Sequence, residues 1–107
     1  MRKGMKIRIL GHKWSVRFLE RSSMHQESNG TCWPLEKVID IANDLGEEEA
    51  RFVAAHELTH AFLAMGGRCF EDSMPQESVC ETVAWHIGEI MRLRDAICSE
   101  RAKKLGK

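Results

Sequence analysis

His56, Glu57 and His60 have the spacing of a metal centre with a catalytic base beside it. Residues four apart on an α-helix lie on one face with Cβ atoms about 5–6 Å apart, so both imidazoles can bind one ion while Glu57 flanks it. The motif H-E-x-x-H therefore predicts a zinc hydrolase. The alternative is a pair of unrelated histidines on an amphipathic helix, and the flanking sequence has to decide between the two.

The flanking residues place the motif in the middle of a helix. Glu47, Glu48 and Glu49 put negative charge in the first turn, residues 51–65 contain neither Pro nor Gly, and Gly66 supplies a stop together with the glycine after it. The side chains at helical spacing beside the histidines are Phe52, Ala55, Thr59, Phe62 and Leu63. We therefore expect the face that carries the motif to be the buried face as well.

A catalytic zinc ion usually has three protein ligands and one open position, so a third ligand is needed. Glu77 and Glu81 are the candidates, 17 and 21 positions after His60 and four apart on a second predicted helix. One of them can bind zinc while the other hydrogen-bonds a ligand histidine. We place Glu77 first because it lies in the first turn, where the chain can still bend toward the motif.

The chemistry expected of this set is amide hydrolysis. Zinc lowers the pKa of its bound water toward neutrality and polarises a carbonyl group. Glu57 would accept the proton of the water and deliver it to the leaving amine. The sequence contains no Tyr, so stabilisation of an oxyanion has to come from Arg, His or backbone N–H groups.

Length and composition predict one cytoplasmic domain over residues 1–107. Sixteen basic residues balance sixteen acidic ones, which argues against nucleic acid or an anionic membrane as partner. No apolar run reaches the roughly 20 residues of a membrane span, and no signal-peptide core follows the first residues. The cysteines lack a C-x-x-C pair, so we expect them to be reduced core or surface residues. They are Cys32, Cys69, Cys80 and Cys98.

The N-terminal half predicts strands. Residues 5–10 and 13–19 alternate polar and apolar side chains around a Gly11-His12 turn, and residues 31–33 and 37–42 read as a second hairpin. The last of these strands, if it lies at the edge of the sheet, could bind an extended peptide by strand addition. The expected fold is α+β, with a three- to four-stranded sheet packed on the motif helix and a long C-terminal helix.

The C-terminal helix begins with a capping-box pattern at Ser73 and contains one weak point, Gly88. A single helix to residue 105 would be roughly 45 Å long, more than one small domain can cover. It therefore either breaks near Gly88 or packs its end on a second subunit, as a homodimer. The predicted buried stripe is Val79, Val83, Ile87, Ile90, Leu93 and Ile97. We expect His86, His12 and His25 to lie away from the metal.

Two segments resemble a known family. Ala55-His-Glu-Leu-Thr-His-Ala-Phe-Leu63 and Gln76-Glu-Ser-Val-Cys-Glu-Thr-Val-Ala84 are similar to the ImmA/IrrE-type zinc peptidases of phages and mobile elements, within the gluzincin class. The resemblance covers residues 37–90 and implies a zincin-like fold, His56 and His60 as ligands, Glu57 as base and Glu77 as third ligand. Glu81 stands where the family usually has Asn. A phage-type repressor is the substrate that this resemblance suggests.

Two alternatives remain. A deformylase would use the same motif but requires an acidic residue before the second histidine, where this sequence has Thr59, and an upstream segment that supplies a Cys ligand, which is absent. A zinc-stabilised binding module without turnover is the stronger alternative, because the chain is small and has no evident oxyanion donor. Replacement of Glu57 separates this module from an enzyme.

Overall fold

A computed structural model describes the backbone of residues 4–66 and 76–104, with all their side chains except those of 76–82, 84 and 85. Four strands precede two helices in this part of the chain, which confirms the α+β fold class. The elements are β1 (Gly4–Ile9), β2 (His12–Leu19), β3 (Gly30–Trp33), β4 (Val38–Ala42), α1 (Glu47–Met65) and α2 (Gln76–Lys104). Two short 3₁₀ helices, Arg21–Ser23 and His25–Glu27, connect β2 to β3.

The strands form one sheet in the order β1-β2-β4-β3. The pairs β1/β2 and β3/β4 are antiparallel, so both predicted hairpins are confirmed, and β2/β4 is parallel. Leu10 and Gly11 both have positive φ in the first turn. Such a two-residue turn matches the right-handed twist of the strands that it joins.

Residues 37–42 do not form an edge strand, so the condition under which they could bind a peptide by strand addition is not met. β4 lies between β2 and β3, and Ile39, Asp40, Ile41 and Ala42 are all buried. A parallel partner on one side and an antiparallel one on the other satisfy its backbone groups, which is the environment of an interior strand. The open edge on this side of the sheet belongs to β3.

The predicted motif helix is present as α1, which follows Gly46 and ends at Gly66. Its buried residues are Ala50, Val53, Ala54, Glu57, Leu58, Ala61, Phe62 and Leu63. The expectation that the histidines share this face is wrong: His56 and His60 are exposed, and Phe52 is 70% exposed. Successive helical residues are about 100° apart, so Glu57 can be buried while the histidine before it faces solvent.

α2 is one helix through Gly88 and packs antiparallel to α1. An Arg51 Nη1 to Asp95 Oδ1 contact of 3.4 Å joins them at one end, and the rings of Phe62 and His86 lie 5.0 Å apart at the other. Of the two alternatives, a break near Gly88 is therefore absent, and packing of the helix end on a second subunit stays a prediction. Neither helix, over its described residues, is long and apolar enough to cross a membrane.

The buried stripe of α2 is confirmed only in part. Ile90, Leu93 and Ile97 are buried in the core formed with the sheet and α1, whereas Ile87 is 45% exposed because it lies one position off that stripe. Val83 is half-buried, and the side chain of Val79 and the capping box at Ser73 fall outside the described part of the chain.

Asp40 joins the three strands β2, β4 and β3 on the sheet face opposite the helices. Its buried carboxylate accepts hydrogen bonds from Arg17 Nε at 2.7 Å, Arg17 Nη2 at 2.9 Å and Trp33 Nε1 at 2.9 Å. A buried carboxylate is tolerated when its lone pairs are used in this way. The network therefore holds β3 at the edge of the sheet.

We expect Asp40→Ala to lower the free energy of unfolding by about 1–3 kcal/mol, because the indole N–H and the guanidinium lose their acceptor. Urea unfolding measures the loss. Asp95→Ala is the control: Asp95 is exposed, and removal of its contacts should cost at most about 0.5 kcal/mol. Equal losses in the two variants would contradict this role of Asp40.

Candidate functional site

His56 and His60 lie one turn apart on α1 and point their rings at the same position. Their Nε2 atoms are 3.3 Å apart, and the ring centroids are 4.9 Å apart. Two Zn–N bonds of 2.0–2.1 Å at a tetrahedral angle would put the nitrogen atoms about 3.3–3.4 Å apart. The spacing of the two rings is thus that of two ligands on one zinc ion.

The protonation of these rings also suits a cation. Although His60 is exposed, partial desolvation of its ring and the neighbouring His56 both lower its pKa. A lowered pKa favours the neutral imidazole, which is the form that binds metal. The two histidines therefore fit a metal ion in chemistry as well as in distance.

Glu57 lies beside the histidines but faces the core. Its side chain is 7% exposed, and burial raises the pKa of its carboxyl group to about 7. A carboxyl group with a pKa near neutrality can both accept and return a proton at physiological pH. Helix periodicity thus gives the three motif residues two different environments.

Gly30 of β3 allows the sheet edge to approach this carboxyl group. A Cβ atom at Gly30 would lie 2.5 Å from Val53 Cγ1 and 3.1 Å from both Cγ and Oε2 of Glu57. Real Cβ atoms essentially never approach another atom to 2.5 Å, so no side chain fits here without a shift. Gly30 is therefore what lets β3 contact Glu57 directly.

Cys32 lies two residues further along the same face of β3. Burial, with a smaller contribution from the charge of Glu57, raises the pKa of its thiol to about 12. A thiol with this pKa stays protonated at neutral pH and is a poor nucleophile. Cys32 and Cys98 are free, in agreement with the expected reduced state, while Cys69 and the side chain of Cys80 lie outside the described residues.

A pocket of about 200 Å³ opens between α1 and the start of β3. Its walls are Asn29, Gly30, Phe52, Val53, His56 and Glu57. The backbone N–H of Ala42 donates to Asn29 O at 2.9 Å, so Asn29 is hydrogen-bonded to β4. Along an antiparallel strand, residues that are hydrogen-bonded to the partner strand alternate with residues whose backbone groups face away from it. The N–H and C=O groups of Gly30 and Cys32 therefore point away from β4, toward the open edge of the sheet.

The structure brings together part of the predicted site. The rings of His56 and His60 approach each other, and His56 and Glu57 line one pocket, whereas the side chains of Glu77 and Glu81 lie outside the described part of the chain. Within that part, no group of three or more His, Cys, Asp or Glu residues could hold a metal ion. His86 packs on Phe62, as expected for a residue away from the pair.

The other two histidines are also remote from the pocket. His12 and His25 are both exposed, as predicted, and His25 makes an edge contact with Trp33 at 5.2 Å between ring centroids. Sequence reasoning missed Asn29 and Gly30 as pocket residues, because an Asn-Gly pair before a strand ordinarily indicates only a turn. A glycine at the start of an amphipathic strand was the available signal, since it often marks a close backbone approach.

The family of the chain follows from a comparison with family models. The model of the IrrE N-terminal-like domain, Peptidase_M78, matches residues 12–82, about two thirds of the sequence. The chain belongs to this family, which confirms the resemblance noted from the two motif segments. It is a metallopeptidase family and therefore implies a metal ion. No curated protein and no solved structure is significantly similar to the chain.

We expect Gly30→Ala to lower the free energy of unfolding by about 1–3 kcal/mol, because the added methyl group forces β3 and α1 apart. Thermal and urea unfolding measure this loss of stability. The matched control is Gly88→Ala, where no described atom lies within 4 Å of the added Cβ. Removal of a glycine from the interior of a helix should stabilise the protein by about 0.5–1 kcal/mol. A loss at Gly88 equal to that at Gly30 would contradict the steric account.

Proposed function

We propose that the protein is a zinc-dependent peptidase of gluzincin type, built as one zincin-like domain over residues 1–107. The observation that carries this proposal is the 3.3 Å approach of His56 Nε2 and His60 Nε2 next to the buried carboxyl group of Glu57. His56 and Glu57 line the same pocket, and the ring of His60 approaches that of His56 beside it. The metallopeptidase family of the chain agrees with this chemistry.

His56, His60 and Glu77 are the proposed zinc ligands, with Glu81 hydrogen-bonded to a ligand histidine. α2 runs antiparallel to α1, so its first turns lie toward the end of α1 that carries His60. That direction agrees with a third ligand from the start of α2. Bound zinc would supply Lewis acidity, which polarises a peptide carbonyl and makes water acidic near neutral pH.

Glu57 is the proposed general base. Its carboxyl group accepts a proton from the attacking water and returns it to the leaving amine, so the peptide C–N bond breaks and an acid and an amine form. The neighbouring residues keep bulk water from most of this carboxyl group. The positive charge of a zinc ion held by the two neutral histidines would lower the pKa of Glu57 and favour its carboxylate form.

An extended peptide is the proposed substrate. The open edge of β3 presents the N–H groups of Gly30 and Cys32 and the C=O group of Cys32 beside the pocket, where an added strand would pair with them. The C=O group of Gly30 already accepts a hydrogen bond from Ser28 Oγ at 3.2 Å. β3 thereby takes the role that the sequence suggested for residues 37–42. The resemblance to ImmA/IrrE-type peptidases favours a repressor as the natural substrate.

A zinc-stabilised binding module is the second candidate. The same histidine pair and open edge would serve it, with peptide bound and no turnover. The binding module does not need Glu57 as a base, so replacement of Glu57 would leave its function intact and would abolish that of the peptidase.

Elemental analysis should find one zinc ion per chain, and His60→Ala should lose most of it. Glu77→Gln should weaken zinc binding severely, whereas loss of a residue that only hydrogen-bonds a ligand, as in Glu81→Gln, should cost about 10–100-fold in affinity or activity. His12→Ala, which removes an exposed histidine remote from the pocket, is the control and should retain full zinc. Full zinc in His60→Ala would contradict the proposed ligands.

Glu57→Gln should retain zinc but cleave a synthetic peptide library about 10²–10⁴-fold more slowly, because the amide has the shape of the carboxylate but cannot accept the proton. Mass spectrometry of the library measures cleavage. Glu48→Gln, the same change at an exposed position of α1, should cleave at the wild-type rate. Cleavage by Glu57→Gln at the wild-type rate would exclude the peptidase as proposed.

A further inference from the structure

Asn29 borders the pocket at the end of β3 that meets Glu57, and the orientation of its amide can be assigned. Arg21 Nη1 lies 2.7 Å from Asn29 Oδ1. A guanidinium group only donates hydrogen bonds, so the atom that faces it must be the amide oxygen. The Nδ2 group, with its two N–H donors, is therefore on the other branch of the amide and has no acceptor among the described residues.

Arg21 is itself held by several groups. It donates to Asp44 Oδ1 at 2.7 Å, to Asp44 Oδ2 at 3.2 Å and to Glu27 O at 3.1 Å. The pairing raises the pKa of Arg21 and lowers that of Asp44, so both stay charged. An exposed ion pair of this kind adds little to stability. Its structural effect is to tie the first 3₁₀ helix and the loop before α1 to the amide of Asn29.

The pocket has few other groups that could stabilise negative charge. Phe52 and Val53 are apolar, and His56 and Glu57 have proposed roles as ligand and base. The sequence contains no Tyr. Among the side chains that line the pocket, Asn29 is thus the one whose N–H donors are not already assigned, and the backbone N–H of Gly30 points to the same open edge.

We propose that the Asn29 side-chain amide donates a hydrogen bond to the carbonyl oxygen of the peptide bond under attack, with Arg21 and Asp44 as positioning residues. The inference rests on the proposed peptidase function. Attack by water converts the carbonyl double bond to a single bond and leaves negative charge on this oxygen, while the protons of Nδ2 stay in place. The hydrogen bond strengthens as that charge develops, so it lowers the barrier more than it strengthens substrate binding.

The test uses zinc-loaded protein and the peptide that the wild type cleaves fastest in a synthetic library. Asn29→Asp keeps an acceptor for Arg21 but removes both donors, and Asn29→Ala removes the side-chain amide altogether. Both variants should lower kcat by about 10²–10³-fold and leave KM within about threefold of wild type. Asn29 is exposed, so zinc content and thermal stability should stay at wild-type values in both.

Asn43→Asp is the matched control, because it adds the same charge at the other Asn of the chain, outside the pocket, and should keep kcat near wild type. Arg21→Ala tests positioning. It should lower kcat on its own by a smaller factor than Asn29→Ala and have no further effect when added to Asn29→Ala, since its action passes through that amide. Additive losses would overturn the positioning role.

The outcomes separate the two proposals. If the wild type cleaves the library and the Asn29 variants retain kcat within about threefold, the inference fails and the peptidase stands. A raised KM with unchanged kcat also overturns it, because Asn29 would then bind substrate without stabilising the transition state. If the wild type cleaves nothing, the proposed peptidase fails, and a catalytic donor at Asn29 fails with it.

Discussion

The close contact of β3 with α1 at Gly30 is the constraint on which the rest of the site depends. A Cβ there would lie 2.5 Å from Val53 and 3.1 Å from Glu57, so the strand reaches the helix only because no side chain stands between them. This contact buries the Glu57 carboxyl group, brings Asn29 to the pocket and places the open edge of the sheet beside the histidines. The Asp40 network holds β3 in that position from the other face of the sheet.

The geometry of a single helix then gives the three motif residues different environments. His56 and His60 are four residues apart and exposed, so both rings face the same position on the solvent side. Glu57 is rotated by about 100° and faces the sheet, where burial raises the pKa of its carboxyl group to about 7. The two proposed metal ligands and the proposed base thus share one turn of helix without competing for the same space. This arrangement explains why Glu57 is better suited to proton transfer than to ligation.

Several elements could be predicted from the sequence because their causes are local. Polar and apolar side chains alternate in residues 5–10 and 13–19, which indicates strands. The acidic first turn and the terminal glycine of α1 indicate where the helix begins and ends. The pair His56 and His60 follows from the helical period alone. Long-range pairing has no such local signal. The parallel alignment of β2 with β4 made β4 an interior strand, and nothing in residues 37–42 indicates which neighbour lies on each side.

The sequence by itself determined the α+β class, the positions of the strands and helices, and the three motif residues, because each of these depends on periodicity or spacing within one segment. Only the tertiary structure decided which face of α1 is buried, since that depends on where the sheet and α2 pack against it. It also assigned the open edge to β3 and brought Asn29 and Arg21 to the pocket. These residues lie about 30 positions before the motif, and only the folded chain brings them to it.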